Sequence, residues 1–283
     1  MASYPNDPLF AKQWGLRRVK FPEAWASTDA LEKNVVRVGL IDTGVAKHED
    51  LPRQLSENLT TESTDKHGHG TWVAGILCAE RNNGLGIAGA VSCELRVYKV
   101  VDNKGWNYQN YYDALEALQS DGVKIVNLSL GGEEKNQTEQ FLISQCVAAG
   151  IIVVAAAGNH RRRGNPPIYP AALDGVIAVA AITQRDQPTR HSSSGAYVFI
   201  AAPGESMTTG LRDEYRSVEG SSFAAPVVTA AIALALGVRP HISSDEIRRV
   251  LGATADDVTH TGKTADFGYG ILDVARFIQE ITR

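Results

Sequence analysis

Runs that are apolar along their whole length alternate, through most of the chain, with segments of helical periodicity. The series begins between about Val35 and Ile41 with VVRVGLI, a β-branched run that ends in Asp-Thr-Gly. After His67-Gly68-His69-Gly70, the residues Val73, Ile76 and Leu77 recur at helical spacing. Then come ELRVYKVV, a helical segment NYYDALEALQSDG closed by Gly122, VKIVNLSL, a second helical segment EQFLISQCVAAG closed by Gly150, IIVVAAAGN and GVIAVAAI. A strand with one wet face alternates apolar and polar residues, whereas a strand covered on both faces has no polar side to show. The pattern therefore predicts an α/β fold with a doubly wound, mostly parallel central sheet and helices on both faces.

At 283 residues the chain is longer than an average domain, but α/β folds of ~250 residues commonly close around one core. No linker, repeat or low-complexity segment interrupts it, so one domain over residues 1–283 is expected. No run approaches the ~18 uninterrupted apolar residues of a membrane span. A formal net charge of −4 gives no electrostatic attraction to nucleic acid or anionic lipid, and neither is an expected partner. Cys78, Cys93 and Cys146 cannot all pair and match no metal-site spacing, so they read as small buried residues. The opening MASYPNDPLF lacks the basic-then-apolar plan of a signal peptide. The chain is then cytoplasmic if Met1 is the native start, and secreted if this is a processed form.

In doubly wound sheets, functional groups collect where strands end at the carboxyl edge. Asp42 follows VGLI, Ser129 and the Gly131-Gly132 pair end KIVNLSL, and Asn159 follows IIVVAAAG. A late apolar helix, SSFAAPVVTAAIALALGV, begins at Ser221 or Ser222 and is expected to tolerate Pro226 near its first turn, where the missing N–H costs little. A serine hydroxyl needs a base, an acid to orient that base, and donors for the oxyanion. Asp42, a histidine, Ser222 and Asn159 supply those groups. Singly they say little: Asp-Thr-Gly is a common turn, Ser222 could be only an N-cap, and His67 and His69 could both cap the same helix start.

The segments IDTGV, HGTWVAG, AAAGN and GSSFAAPVV together resemble the four signature segments of the subtilisin-like serine proteases, the subtilase family, and the order Asp42, His69, Ser222 is that of the subtilisin arrangement. YPNDPLFAKQWGLRRVKFPEAW resembles the start of a mature member and FGYGILDVARFI its closing strand and helix, so the likeness runs from about Pro5 to Ile278. It implies a serine endopeptidase working through an acyl-enzyme. Ser222 is then the nucleophile, His69 rather than His67 the base, Asp42 its orienting acid, and Asn159 with the Ser222 N–H the oxyanion donors. It also implies an extended peptide or protein substrate held between Ser129–Gly131 and the segment around Gly105–Tyr108. Ser129, Leu130, Gly131, Ala156, Ala157 and Gly158 would wall the pocket for P1, the residue preceding the scissile bond, with Gly164 near its base and room for a large side chain. His67 would line the cleft beside it. Tyr108, Tyr111 and Leu130 would line an apolar subsite for P4, three residues further from the cut.

Two positions depart from the family pattern. Gly220-Ser221-Ser222-Phe223-Ala224 stands where members usually show Gly-Thr-Ser-Met-Ala, and Trp72 stands where histidine is frequent. Phe223 adds bulk behind the nucleophile and removes an oxidisable sulfur. It also motivates a second reading, a regulatory protein on this fold with little turnover. A nucleotide-binding protein is poorly supported, because no Gly-rich phosphate loop follows the first strand. In NHRRRGNPP, Arg161 could edge the P1 pocket and favour acidic groups there. The resemblance further implies a structural Ca2+ held by the side chains of Asp7, Asp50 and Asn83 and the carbonyls of Arg81, Leu85 and Ile87. A propeptide or proteinaceous inhibitor is the remaining partner it implies, on a monomer.

Overall fold

The computed structural model describes residues 2, 4–29, 31, 34–52, 56–57, 64–102 and 105–283, with backbone only at 56, 57 and 102. Its strands are β1 (Arg37–Asp42), β2 (Ser56–Glu57), β3 (Glu94–Lys99), β4 (Val101–Asp102), β5 (Gly105–Trp106), β6 (Ile125–Leu128), β7 (Ile152–Ala156), β8 (Ile177–Ile182), β9 (Val198–Pro203), β10 (Glu205–Thr209) and β11 (Tyr215–Glu219). Its helices are α1 (Trp14–Arg18), α2 (Phe21–Thr28), α3 (His69–Cys78), α4 (Tyr108–Ser120), α5 (Gln137–Ala148), α6 (Ser221–Val238), α7 (Ser244–Thr254) and α8 (Val274–Ile281).

Among the described residues, seven strands form one sheet in the order β2-β3-β1-β6-β7-β8-β9, with every neighbouring pair parallel. Two antiparallel hairpins, β4–β5 and β10–β11, stand apart from it. The alternating apolar pattern is explained by its two buried faces. Ile152, Val154 and Ala156 of β7 join α3 and α6 in one core layer, while Val153 and Ala155 join α4 and α5 in the other. From β1 the chain runs outward to β3 and then returns across β1 to β6, so the order reverses beside β1. Such a reversal opens a crevice at the carboxyl ends of the strands. Asp42 ends β1, and Ser129 lies one residue past β6.

Helix α6 is apolar on every side because it runs through the core. Its length and mean hydropathy of 1.9 would suit a membrane span, but 89% of it is buried inside the fold. Pro226 is not in its first turn but is the sixth helical residue. There a proline removes the N–H that would bond the carbonyl of Ser222, four residues back. The hydroxyl of Ser129 takes that carbonyl instead, at 2.6 Å. The break in the helix ladder is thus repaired from β6, and the repair fixes the first turn of α6 to the sheet edge.

Candidate active site

Asp42 and His69 meet because the start of α3 approaches the end of β1 unusually closely. Gly70 makes this possible: a Cβ there would lie 2.1 Å from the Gly44 carbonyl oxygen and 3.2 Å from the Asp42 Cβ. The Gly70 N–H donates to Thr43 Oγ1 at 2.8 Å. Asp65, buried, receives the N–H groups of His67, Gly68 and Thr71 and the Thr71 hydroxyl, and so satisfies the free donors at the start of α3. His69 Nδ1 then lies 2.7 Å from Asp42 Oδ1, which also accepts the Thr43 N–H at 2.8 Å. Burial would lower the His69 pKa, but the charge and hydrogen bond of Asp42, with the charge of Asp65, outweigh it and hold the pKa above its ordinary 6.5. The imidazole is packed by Phe223 at 5.5 Å and Trp72 at 6.0 Å between ring centroids, and Arg216 stacks on Trp72 at 3.9 Å. The two unusual aromatics therefore both touch the environment of the same ring.

Ser222 is the second residue of α6, where backbone N–H groups have no partner within the helix. Its Oγ donates to the Ser129 carbonyl at 3.2 Å rather than to His69. Ser129 Oγ in turn accepts from Asn127 Nδ2 at 2.9 Å, and Thr229 donates to Asn127 Oδ1 at 3.0 Å. Asn159 Oδ1 accepts both the N–H and the hydroxyl of Ser221, at 3.0 and 3.2 Å. That pairing fixes which way the amide faces and leaves Nδ2 without an acceptor among the described residues. Gly220, at φ +144, allows the approach, since a Cβ there would sit 3.3 Å from Nδ2.

A cleft of about 210 Å3 is lined by Ser129, Leu130, Gly131, Ala156, Gly158, Asn159, His160, Ile168, Ser221 and Ser222. It brings together most of the residues expected at P1, with three exceptions. Ala157 is fully buried behind the wall, its carbonyl accepting the Tyr197 hydroxyl at 2.9 Å. His67 stands outside the cleft, exposed, 6.4 Å from the His69 ring. Gly164 is no part of the lining, and a Cβ there would meet nothing within 4 Å.

Ile168 is a lining residue packed against both glycine walls. Cβ atoms on Gly158 and Gly131 would fall 2.4 and 2.8 Å from its side chain, so it spans the gap between the two walls. Paired hydrogen bonds between Gly132 and Tyr169, at 2.8 and 2.9 Å, bring this segment to the cleft. Ile168, His160, Asn127, Ser221 and Asp65 were not singled out from sequence. Ser221 alone carried a signal, its place beside Ser222. Arg161 is turned away from the cleft: its Nε donates to the Ser192 carbonyl at 2.7 Å and its guanidinium pairs with Asp266. Tyr108, Tyr111 and Leu130 do line one common cavity, adjoining the cleft.

Of the expected calcium ligands, the side chains of Asp7, Asp50 and Asn83 lie close together and bond to protein groups. Asp50 is fully buried; Oδ1 receives Asn83 Nδ2 at 2.8 Å, and Oδ2 receives the Ile87 N–H at 2.9 Å and the Tyr215 hydroxyl at 3.2 Å. The Leu85 N–H, 2.7 Å from Asn83 Oδ1, fixes that amide with its nitrogen toward Asp50. Asp7 receives the N–H groups of Asn82 and Asn83 at 3.0 and 3.3 Å. Arg81 pairs with Asp29 at 2.9 Å and lies over the Trp25 ring. A calcium ion needs six or more converging oxygens. Here hydrogens converge on Asp50, and the Tyr215 ring end packs against Gly86, where a Cβ would lie 2.1 Å from its hydroxyl. The side chains of Asp7, Asp50 and Asn83 are thus engaged with protein donors, and among the described residues no group of three or more His, Cys, Asp or Glu could hold a metal ion.

A doubly wound sheet carrying an Asp–His pair at one strand end and a serine at a helix start nearby has the layout of a serine hydrolase. The family model "Subtilase family" matches residues 33–270. The chain is 35% identical to thermitase of Thermoactinomyces vulgaris over 269 residues, covering 91% of this chain and 94% of that protein. It is 36% identical to subtilisin DY of Bacillus licheniformis over 249 residues, covering 84% and 89%. Subtilisin E of Bacillus subtilis is 32% identical, covering 92% and 70%. The chain belongs to the subtilase family and is a serine endopeptidase that acts on peptide or protein substrates.

Proposed function

We propose that Ser222 attacks the carbonyl of an extended peptide, with His69 as base, Asp42 holding the imidazolium, and Asn159 Nδ2 with the Ser222 N–H receiving the oxyanion. The 2.7 Å Asp42–His69 hydrogen bond is the observation that carries this reading, since it leaves His69 Nε2 as the proton acceptor. Ser222 Oγ gives up its bond to the Ser129 carbonyl, forms the bond to the substrate carbon, and passes its proton to Nε2. Collapse of the tetrahedral intermediate breaks the C–N bond as His69 returns the proton to the leaving amine. Water, deprotonated by His69, then hydrolyses the acyl-Ser222 ester. Oxyanion donors of this kind are worth ~3–4 kcal/mol each when lost, and the Ser221–Asn159 pairing supports their being set before substrate arrives.

The position of Ile168 favours a shallow P1 pocket that takes small side chains, in place of the roomy one expected with Gly164 at its base. A fluorophosphonate probe and a chromogenic tetrapeptide with alanine at P1 test the whole reading. Labelling and hydrolysis that disappear in Ser222→Ala are expected. A well-folded chain that neither labels nor cleaves would overturn it in favour of a regulatory protein without turnover.

A further inference from the structure

A second cavity, of about 510 Å3, lies between the first turns of α4 and α5 and continues the cleft, since Leu130 and Gly131 border both. Its walls include Trp106, Tyr108, Tyr111 and Tyr169. Trp106 lies 5.2 Å from Tyr111 and 6.0 Å from Tyr108 between ring centroids. In place of the apolar subsite expected for P4, the lining includes a carboxyl group, Glu139, only 8% exposed. The Tyr111 hydroxyl donates to its Oε1 at 2.9 Å, and Oε2 has no protein donor among the described residues. Burial pushes the Glu139 pKa up and the Tyr111 hydrogen bond works against it. The start of α5, capped by Asn136, further favours the carboxylate. Glu133 and Glu134 are also in the lining, against one lysine, Lys135.

Glu139 borders the cavity, and a group that displaces water from its carboxylate is costly there unless it brings a cation or donors to meet it. Aromatic faces around a cavity attract cations and reward removing them from water. A purely apolar side chain entering here would strip water from Glu139 and return nothing. Resting on the protease reading above, we propose that this cavity receives a basic side chain of the substrate, Lys or Arg at P4, with its cation against Glu139 and among the rings of Trp106, Tyr108, Tyr111 and Tyr169.

The test compares tetrapeptide p-nitroanilides with three alanines at P3 to P1 and Lys, Arg, norleucine, citrulline or Glu at P4, on the full chain and on Glu139→Gln and Glu139→Leu. Lys over norleucine and Arg over citrulline should each be favoured by about ten- to hundredfold in kcat/KM. Both ratios should collapse toward one in Glu139→Gln, and norleucine should lead in Glu139→Leu. Equal rates on lysine and norleucine in the wild type, or a preference for lysine that survives Glu139→Gln, would overturn the proposal while leaving the protease standing. Loss of fluorophosphonate labelling marks failure of the protease reading instead. Binding of the same peptides to Ser222→Ala reads the cavity without turnover, and equal Kd values for lysine and norleucine would overturn the proposal there too.

Discussion

If the shallow P1 pocket proposed above is right, replacing Ile168 by alanine should convert the P1 preference from small to large. The side chain is 2% exposed and lies between Gly131 and Gly158, so its removal opens space at the base of the cleft and not on a free surface. The change deletes three carbons, the same number by which leucine exceeds alanine. At ~0.8 kcal/mol per buried carbon, a P1 leucine filling that space gains up to ~2.4 kcal/mol, or about 50-fold in kcat/KM relative to P1 alanine. Ile168→Val deletes one carbon and should gain about fourfold by the same reasoning. The alanine variant will lose ~2–5 kcal/mol of stability and the valine variant ~0.5–1.5 kcal/mol. Thermal melts therefore accompany the kinetics, and the graded pair remains readable if the alanine variant is too weak. The assay is hydrolysis of succinyl tetrapeptide p-nitroanilides that differ only at P1. A wild type that already prefers leucine or phenylalanine over alanine, or folded variants whose ratios do not move, would refute the assignment of Ile168 to the pocket base.

Four other outcomes are expected. Because His69 must be neutral to accept a proton and its pKa is held above 6.5, kcat/KM should rise through a limb above that pH. Asp42→Asn removes the larger of the charges that raise it and leaves Asp65, so the limb should move to lower pH while kcat falls by about 10⁴. Asn159→Ala should lose about 10²–10³ in kcat with little change in KM, and Ser221→Ala, which frees the amide to turn, should lose part of the same factor and regain it in Ser221→Thr. EDTA should leave Tm unchanged, whereas Tyr215→Phe, which strips a donor from buried Asp50, should destabilise by about 1–3 kcal/mol; a drop in Tm with EDTA that calcium restores would refute this. Ser129→Ala leaves the Ser222 carbonyl without its donor, and the resulting loss of about 1–3 kcal/mol should shrink in the double variant with Pro226→Ala, where a helix N–H is available again.

The parallel sheet was readable because strands covered on both faces cannot hide their composition; VVRVGLI, VKIVNLSL and IIVVAAAGN became β1, β6 and β7 with ends displaced by a few residues. The sites at strand ends were readable for the same reason, as Asp42 and Asn159 follow such runs directly. The hairpin β10–β11 had no such signature, since ESMTT and YRSVE are mixed in polarity and pair with each other apart from the main sheet, β10 packing on α3. Ile168 and Glu139 were missed on different grounds. Ile168 reaches the cleft through the bridge between Gly132 and Tyr169, a long-range contact that local pattern does not encode. Glu139 looks like any acid in the first turn of a helix, and only the fold reveals that it is bonded to Tyr111 and shares a cavity with four aromatic rings. The residues expected to hold calcium are adjacent, but local sequence did not reveal that a tyrosine from a remote strand donates a hydrogen bond to Asp50.

The clasp between Ser129 and Ser222 has a bearing on how such an enzyme survives its own copies. Proteolysis proceeds through segments that open locally, and openings begin where few buried contacts hold the backbone. Ser222, the proposed nucleophile, stands on the first turn of a helix that is 89% buried, joined to the sheet edge in place of a helix bond removed by Pro226. The amides further along α6 should therefore exchange with solvent only when the whole fold opens. Activity and structure should then disappear together on heating, with no population of intact but inactive molecules for the remaining active ones to digest first.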